Sequence, residues 1–223
     1  MPGNTPSTGR LSPMPLTEAF YQRSTVEVAR ALLGTLLVRE LDQERLSGII
    51  VEVEAYLSEG DAASHSFRGM GKKNRSMYLP AGRLYVYPIH AKVCLNVVTE
   101  PEGQGAAVLI RALQPHEGTE RMLAQRHGSP LRDLTRGPAR LCQALAVDRS
   151  LDGIDLTVGR GIWLEAAPPE CLISPMRIAE SARIGIRLAR DLPLRFFIPE
   201  NRNVSRHTRE ASRRLAAGGH RPA

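Results

Sequence analysis

Within GIIVEVEAYLSEGDAASHS, residues 48–66, two glutamates one residue apart are followed by a tyrosine and a histidine. Alternate side chains of a strand share a face, so Ile49, Val51 and Val53 are expected on one side and Ile50, Glu52 and Glu54 on the other. Two carboxylates on one face admit two readings. An antiparallel sheet often leaves one face in water, which explains both glutamates without chemistry. A carboxylate joined by Tyr56 and His65 at a strand end instead supplies the parts of a polar pocket in which an acid or base can act. Spacing does not choose between Glu52 and Glu54.

A second group of residues lies close by. Four of the five tyrosines, at 56, 78, 85 and 87, fall in one region of a chain that is only 4% aromatic. Core packing accounts for at least one of the pair Tyr85 and Tyr87, but flat rings gathered in this way also suit the stacking of bases, worth about 1–3 kcal/mol per base. Between them lies RGMGKKNR, with Arg68, Lys72, Lys73 and Arg75 and no acid. Such a run is either a solvated charge cluster or, because glycines flank the lysines, a loop whose backbone can come close to phosphate.

These residues need elements to hold them. Leu84 and Val86 alternate with Tyr85 and Tyr87 as in a half-buried strand, and Pro88 is expected to end its ladder. Val93, Leu95 and Val97 restart the alternation, so Ile89 to Lys92 form the tip of a hairpin, with an exposed Ile beside a His. Ser24 and Thr25 with Glu27 can cap a helix running to Leu33, stopped by Gly34. Strands are predicted at 35–41, 47–56, 84–88, 93–98 and 106–113, the first two bridged by Asp42 to Arg45, with a short strand at 161–165. Helices are predicted from Glu117 to Arg126 and from Pro138 to Ala146, the latter opened by Gly137-Pro138. Connections this short exclude most parallel crossovers. The expected fold is α+β: a single mixed domain with a curved, largely antiparallel sheet flanked by helices and a protruding β-hairpin. It should occupy residues 17–200, between a flexible segment at 1–16 and a basic tail at 201–223 that carries six Arg against one Glu.

The chain has 223 residues, enough for one domain with a real core. Its net charge of +7 and pI near 9.8 suit a polyanionic partner such as nucleic acid. Cys94, Cys142 and Cys171 form no CxxC pair, so neither a disulfide framework nor a thiolate metal site is suggested, and reduced, buried thiols are expected. MPGNTPSTGRLSPMP has neither a basic nor an apolar leader region, and no run approaches membrane-spanning length. The sequence therefore reads as a cytoplasmic monomer, associated with the nucleoid if prokaryotic, with no membrane partner, metal or cofactor.

Taken together these residues resemble the alkyladenine (3-methyladenine) DNA glycosylase family of the mammalian type, which is unrelated in fold to the helix-hairpin-helix glycosylases. The resemblance runs from about Leu16 to about Ile198. It is carried by VEVEAYLSEGDAASHS, GRLYVYPIHAKVCLNV, VLIRALQP and GPARLCQAL, in the family's order and spacing. It implies that Glu54, and not Glu52, is the catalytic carboxylate and that Arg111 helps it hold the attacking water. It implies that Tyr56, His65 and Tyr87 line the pocket and sandwich a base flipped out of double-stranded DNA, and that Asn96 crowds the exocyclic amino group of guanine. The hairpin becomes a wedge in the minor groove. His90 stands where better known members have an intercalating tyrosine, Ile89 precedes it, and which of the two inserts is left open. Lys92 replaces a residue that is often apolar and is expected to touch phosphate. GKKNRSMY departs from the family's TxRN pattern, so detailed DNA contacts are not carried over to it. The implied activity is excision of alkylated or deaminated purines, 3-methyladenine and 7-methylguanine first, by a monofunctional enzyme that leaves an abasic site.

Two rivals remain at this stage. A non-catalytic nucleic-acid binding module explains the charge but not a carboxylate in a phosphate-binding groove. A metal-dependent hydrolase would use Asp61, His65 and His90, whose spacing matches no strong ligand pattern. His116, His127 and His207 are expected at the surface and Trp163 in the core. Arg187, Arg190 and Arg195 either extend the DNA face or line a solvated helix.

Overall fold

The computed structural model of the chain describes residues 14–167, 169 and 177–205. Six strands follow one path through a sheet that curls into a half-barrel: β1 (Leu36–Leu41), β2 (Glu44–Tyr56), β3 (Leu84–Ile89), β4 (Lys92–Val98), β5 (Ala107–Glu117) and β6 (Ile162–Glu165). Their spatial order is β3-β4-β5-β2-β1-β6, and every pairing is antiparallel. Two short strands, β7 (Ala179–Ser181) and β8 (Arg195–Phe197), complete the sheet, with β8 lying against residues 52–54 of β2. The expected α+β, largely antiparallel architecture is the one observed.

Among the described residues four short α-helices, α1 (Glu18–Tyr21), α2 (Thr25–Leu32), α3 (Thr119–Gln125) and α4 (Pro138–Ala144), accompany the sheet. Glu27 reaches back to the Ser24 amide to close the capping box that starts α2, and Gly34, at φ 84°, turns the chain into β1. Val28, Ala29 and Leu32 of α2, Met122 of α3 and Leu141 of α4 join one core with Leu37, Ile50, Val53, Val86 and Leu95 from the sheet. Each Val, Leu, Ile or Met among them, fully buried, contributes about 1.5–3 kcal/mol. Packing reaches from Leu16, whose amide bonds Leu164, to Val204 and Ser205.

Several local expectations are corrected. The first hairpin turns on Asp42 and Gln43 alone, both at positive φ, so Glu44 and Arg45 already belong to β2. Glu117 ends β5, and α3 starts after Gly118 at φ 69°. Pro88 does not end the ladder but pairs with Val93. The tip is the two-residue turn His90-Ala91, with His90 at φ 54° and Ile89 paired to Lys92. Pro88 is tolerated because β3 is an edge strand and the backbone nitrogens of residues 84, 86 and 88 face outward: Leu84 N bonds Ile154 O and Val86 N bonds Asp152 Oδ1, both at 2.8 Å.

The predicted alternation of β2 also breaks. Val51 is an extra residue against β5 and Arg111 an extra residue against β2, since Ile50 pairs Leu113, Glu52 pairs Ala112 and Val53 pairs Ile110. Ile50 and Val53 therefore share the helix-covered core, whereas Ile49 and Val51 join a separate cluster with Trp163 and Phe197. A bulge re-aims side chains in this way. Trp163 is buried as expected, and His116 and His127 are exposed. Arg187 and Arg190 lie on an irregular exposed loop, not a helix, and Arg195 is wholly buried in β8 rather than on any outer face. Cys94 and Cys142 are free and buried. Cys171, His207, residues 1–13 and most of the basic tail lie outside the described residues. Among the described residues no helix is long and apolar enough to cross a membrane.

Candidate active site

Strand register draws the site residues into rows. Glu54 of β2 faces Leu109 of β5, Leu109 faces Asn96 of β4, and Asn96 faces Tyr85 of β3. Tyr56 and Tyr87 sit two residues further along their strands, on the same side as Glu54 and Tyr85. This face forms a cleft of about 1210 Å³, whose walls include Tyr56, His65, Tyr85, Tyr87, Asn96, Arg111 and Ile184. Arg68, Lys72, Lys73 and Arg149 also border it, so the opening is basic.

Neither glutamate is on a solvated face: Glu52 and Glu54 are both 0% exposed. Glu54 accepts hydrogen bonds from the Ile184 amide at 2.7 Å and the Tyr56 hydroxyl at 2.9 Å, and Arg111 Nη1 stands 3.2 Å from its Oε1. These three partners are themselves cleft-wall residues, so the carboxylate lies directly behind the wall among polar groups. Burial pushes its carboxyl above the usual range, and Arg111 together with the two hydrogen bonds limits the rise. Burial and the adjacent Glu54 drive the Tyr56 hydroxyl far up, which keeps it a donor. Burial opposes the charge on Arg111, but Glu54 and Glu52 hold the guanidinium protonated.

The aromatic wall is ordered around His65. Its ring meets Tyr87 edge-on with centroids 4.6 Å apart, and its Nδ1 shares a 2.8 Å hydrogen bond with the Tyr85 hydroxyl. Tyr85 and Tyr87 stack at 5.7 Å. Asn96, buried, donates from Nδ2 to Tyr85 O at 3.0 Å. Asn74 bonds the His65 and Gly69 carbonyls and the Gly71 amide, which fixes the basic loop to this wall. Of the hairpin residues, Ile89 reaches the cleft rim and is 43% exposed. His90 and Lys92 stand exposed at the end of the ribbon.

Two supports of the site escaped the sequence reading. Arg183, fully buried, makes a bidentate pair with Asp61, both contacts at 2.6 Å, and its guanidinium carbon lies 4.6 Å from the Tyr56 ring centroid. Asp61 is thus committed to Arg183 and does not converge with His65 and His90; among the described residues no group of three or more potential ligands gathers to hold a metal ion. Ile184 acts through its backbone, which no side-chain pattern reveals. Glu52, in turn, is bound by Arg111, Arg195 and Ser205.

Comparison with known proteins shows which family the chain falls in. A relative in Rhodopirellula baltica, provisionally named a 3-methyladenine DNA glycosylase, is 48% identical over 206 residues, covering 89% of this chain and 87% of its own. One in Methanoculleus marisnigri with the same provisional name is 48% identical over 195 residues, covering 86% of this chain and all of its own. The DNA-3-methyladenine glycosylase of Mus musculus is 44% identical over 206 residues, which span 86% of this chain and 60% of the mouse protein. The profile of the methylpurine-DNA glycosylase family matches residues 19–202, and the chain belongs to that family.

Proposed function

We propose that the protein is a DNA glycosylase that excises alkylated purines, 3-methyladenine and 7-methylguanine foremost and hypoxanthine or ethenoadenine more slowly, using a water activated by Glu54. The observation that carries this reading is the Glu54 carboxylate, buried among Tyr56, Arg111 and Ile184 at the back of a basic, tyrosine-lined cleft.

A base inside a duplex cannot reach such a carboxylate, so its nucleotide must rotate out, at a cost of a few kcal/mol that damage lowers. The β3–β4 hairpin is the wedge that fills the gap, with Ile89 and His90 at its tip and Lys92 on phosphate. The extruded base lies between Tyr56, Tyr87 and His65. Electron-rich rings attract a cationic alkylated purine by about 0.5–2 kcal/mol, and Asn96 crowds the amino group that marks guanine.

Cleavage of the N-glycosidic bond leaves the sugar oxocarbenium-like. Glu54 stabilises that charge and accepts a proton from the attacking water, a role its raised proton affinity suits. Arg111 holds the water and the carboxylate. A base alkylated at N3 or N7 is already cationic and departs without a second acid, unlike the leaving group of most glycosidases. Neutral lesions need a proton from water or a pocket group. Because the nucleophile is water and not an amine, the product is an abasic site with no strand nick.

Glu54→Gln tests the assignment on duplexes containing hypoxanthine. Excision should fall by roughly 10²- to 10⁴-fold while binding of damaged DNA persists. Excision at the wild-type rate would remove Glu54 from the role.

A further inference from the structure

Arg111 is shared by two carboxylates, and unequally. Its Nε donates to Glu52 Oε1 at 2.8 Å, whereas its Nη1 reaches Glu54 Oε1 as a longer pair of 3.2 Å. Its third nitrogen, Nη2, lies 3.3 Å from Ser205 Oγ. Glu52 is held from several directions: Arg195 Nε and Ser205 Oγ donate to the same Oε1 at 2.8 Å, and Ser205 N donates to Oε2 at 2.5 Å. Two edges of the Arg111 guanidinium are therefore fixed by Glu52 and Ser205, and only Nη1 is left for Glu54. The bulge makes this possible, since Arg111 is the residue that β5 carries in excess.

We propose that Glu52 is a positioning residue for the reaction assigned to Glu54: it aims Arg111 Nη1 at the Glu54 carboxylate while drawing the rest of the guanidinium away. The inference rests on the functional reading above. The two carboxyls behave oppositely, as this division of labour requires. Burial raises both, but Arg111 and Arg195 outweigh it at Glu52, which is held below the usual range, while Glu54 stays above it. Environments that push neighbouring carboxyls apart separate a permanent anion from a proton acceptor. The ionisable groups facing Glu54 are Glu52 and Tyr56 on β2, Arg111 on β5, and Tyr87 and Cys94 on β3 and β4. Removing the charge at 52 frees Arg111 to stabilise the Glu54 carboxylate more fully.

The test is single-turnover excision of 7-methylguanine, whose cationic base needs no leaving-group acid, by the full chain between about pH 5 and pH 9. For Glu52→Gln the plateau should fall roughly 10- to 100-fold, and the acid limb should move to lower pH. An acid limb that stays in place, with activity lost only in proportion to folded protein, would make Glu52 merely structural and overturn the proposal. Should Glu52→Gln not fold, the partly exposed Ser205 decides. Ser205→Ala should lower the rate roughly 2- to 10-fold, and Ser205→Thr should restore it. Equal rates for Ser205→Ala and the wild type would overturn the proposal as well. Absence of excision by the wild type would instead defeat the functional reading itself.

Discussion

The Tyr56 hydroxyl donates a 2.9 Å hydrogen bond to Glu54, its neighbour two residues back on the same strand. The donor stabilises the ionised carboxylate and so restrains the upward push of burial. Tyr56→Phe keeps the ring and removes the donor. The Glu54 carboxyl should then hold its proton to higher pH. With the ionised form as the proposed proton acceptor, the acid limb of 7-methylguanine excision should shift upward in pH, opposite to the shift expected for Glu52→Gln. A limb that does not move would show that the bond is not felt in the reaction.

Glu54 also bears on stability. Its folded-state value lies above the ordinary 4.5 because of burial. The associated stabilisation is complete below that ordinary value and is lost as pH rises through the folded value, above which an unfavourable buried charge is left. Glu54→Gln should therefore raise the melting temperature by about a few degrees near pH 7.5. The gain should shrink in acid, where the wild type is protonated as well. Calorimetry at two pH values measures it.

His90, exposed at the hairpin turn, should matter only when bases must be parted. His90→Ala should reduce excision from duplex DNA roughly 10-fold and from single strands less than about 2-fold. Because His90 has φ 54°, His90→Gly serves as the control for turn strain. The same comparison with Ile89→Ala tests Ile89 for the proposed wedge role. Equal losses on both substrates would exclude a wedge role.

The Arg183–Asp61 pair is buried beneath Tyr56. Burial pushes the Asp61 carboxyl up, but the Arg183 fork and the Leu57 and Ala63 amides outweigh it and hold it below its ordinary 3.8. Its stabilisation is complete above 3.8 and is lost as pH falls through the lower folded value. Arg183→Met leaves a buried carboxylate without its cation and should cost about 3–5 kcal/mol in urea denaturation at neutral pH. It should also flatten the acid end of the stability curve.

The main strands and the α2, α3 and α4 helices were legible because apolar periodicity and cap residues are local signals. Two features were not. The bulge at Val51 and Arg111 is a property of the pairing between β2 and β5, so alternation along β2 alone put Ile50 and Val53 on opposite faces. Strands β7 and β8 have three residues each, too few for a period, and so the buried Arg195 passed for a surface residue. In the cleft, Tyr56, His65, Tyr87 and Asn96 could be named from their types and the family resemblance. Ile184 contributes only an amide, and Arg183 and Ser205 reach the site from about 130 and 150 residues beyond β2. Contacts that distant leave no trace in spacing.

A ribbon that juts from a sheet invites a second molecule to add a strand along its open side. Here the outer margin of β3 offers no free amide to template such growth: one is taken by Ile154, the next by Asp152, and the third position is an imino acid with no hydrogen to give. Along that margin the hairpin therefore gives a neighbouring strand no amide to pair with.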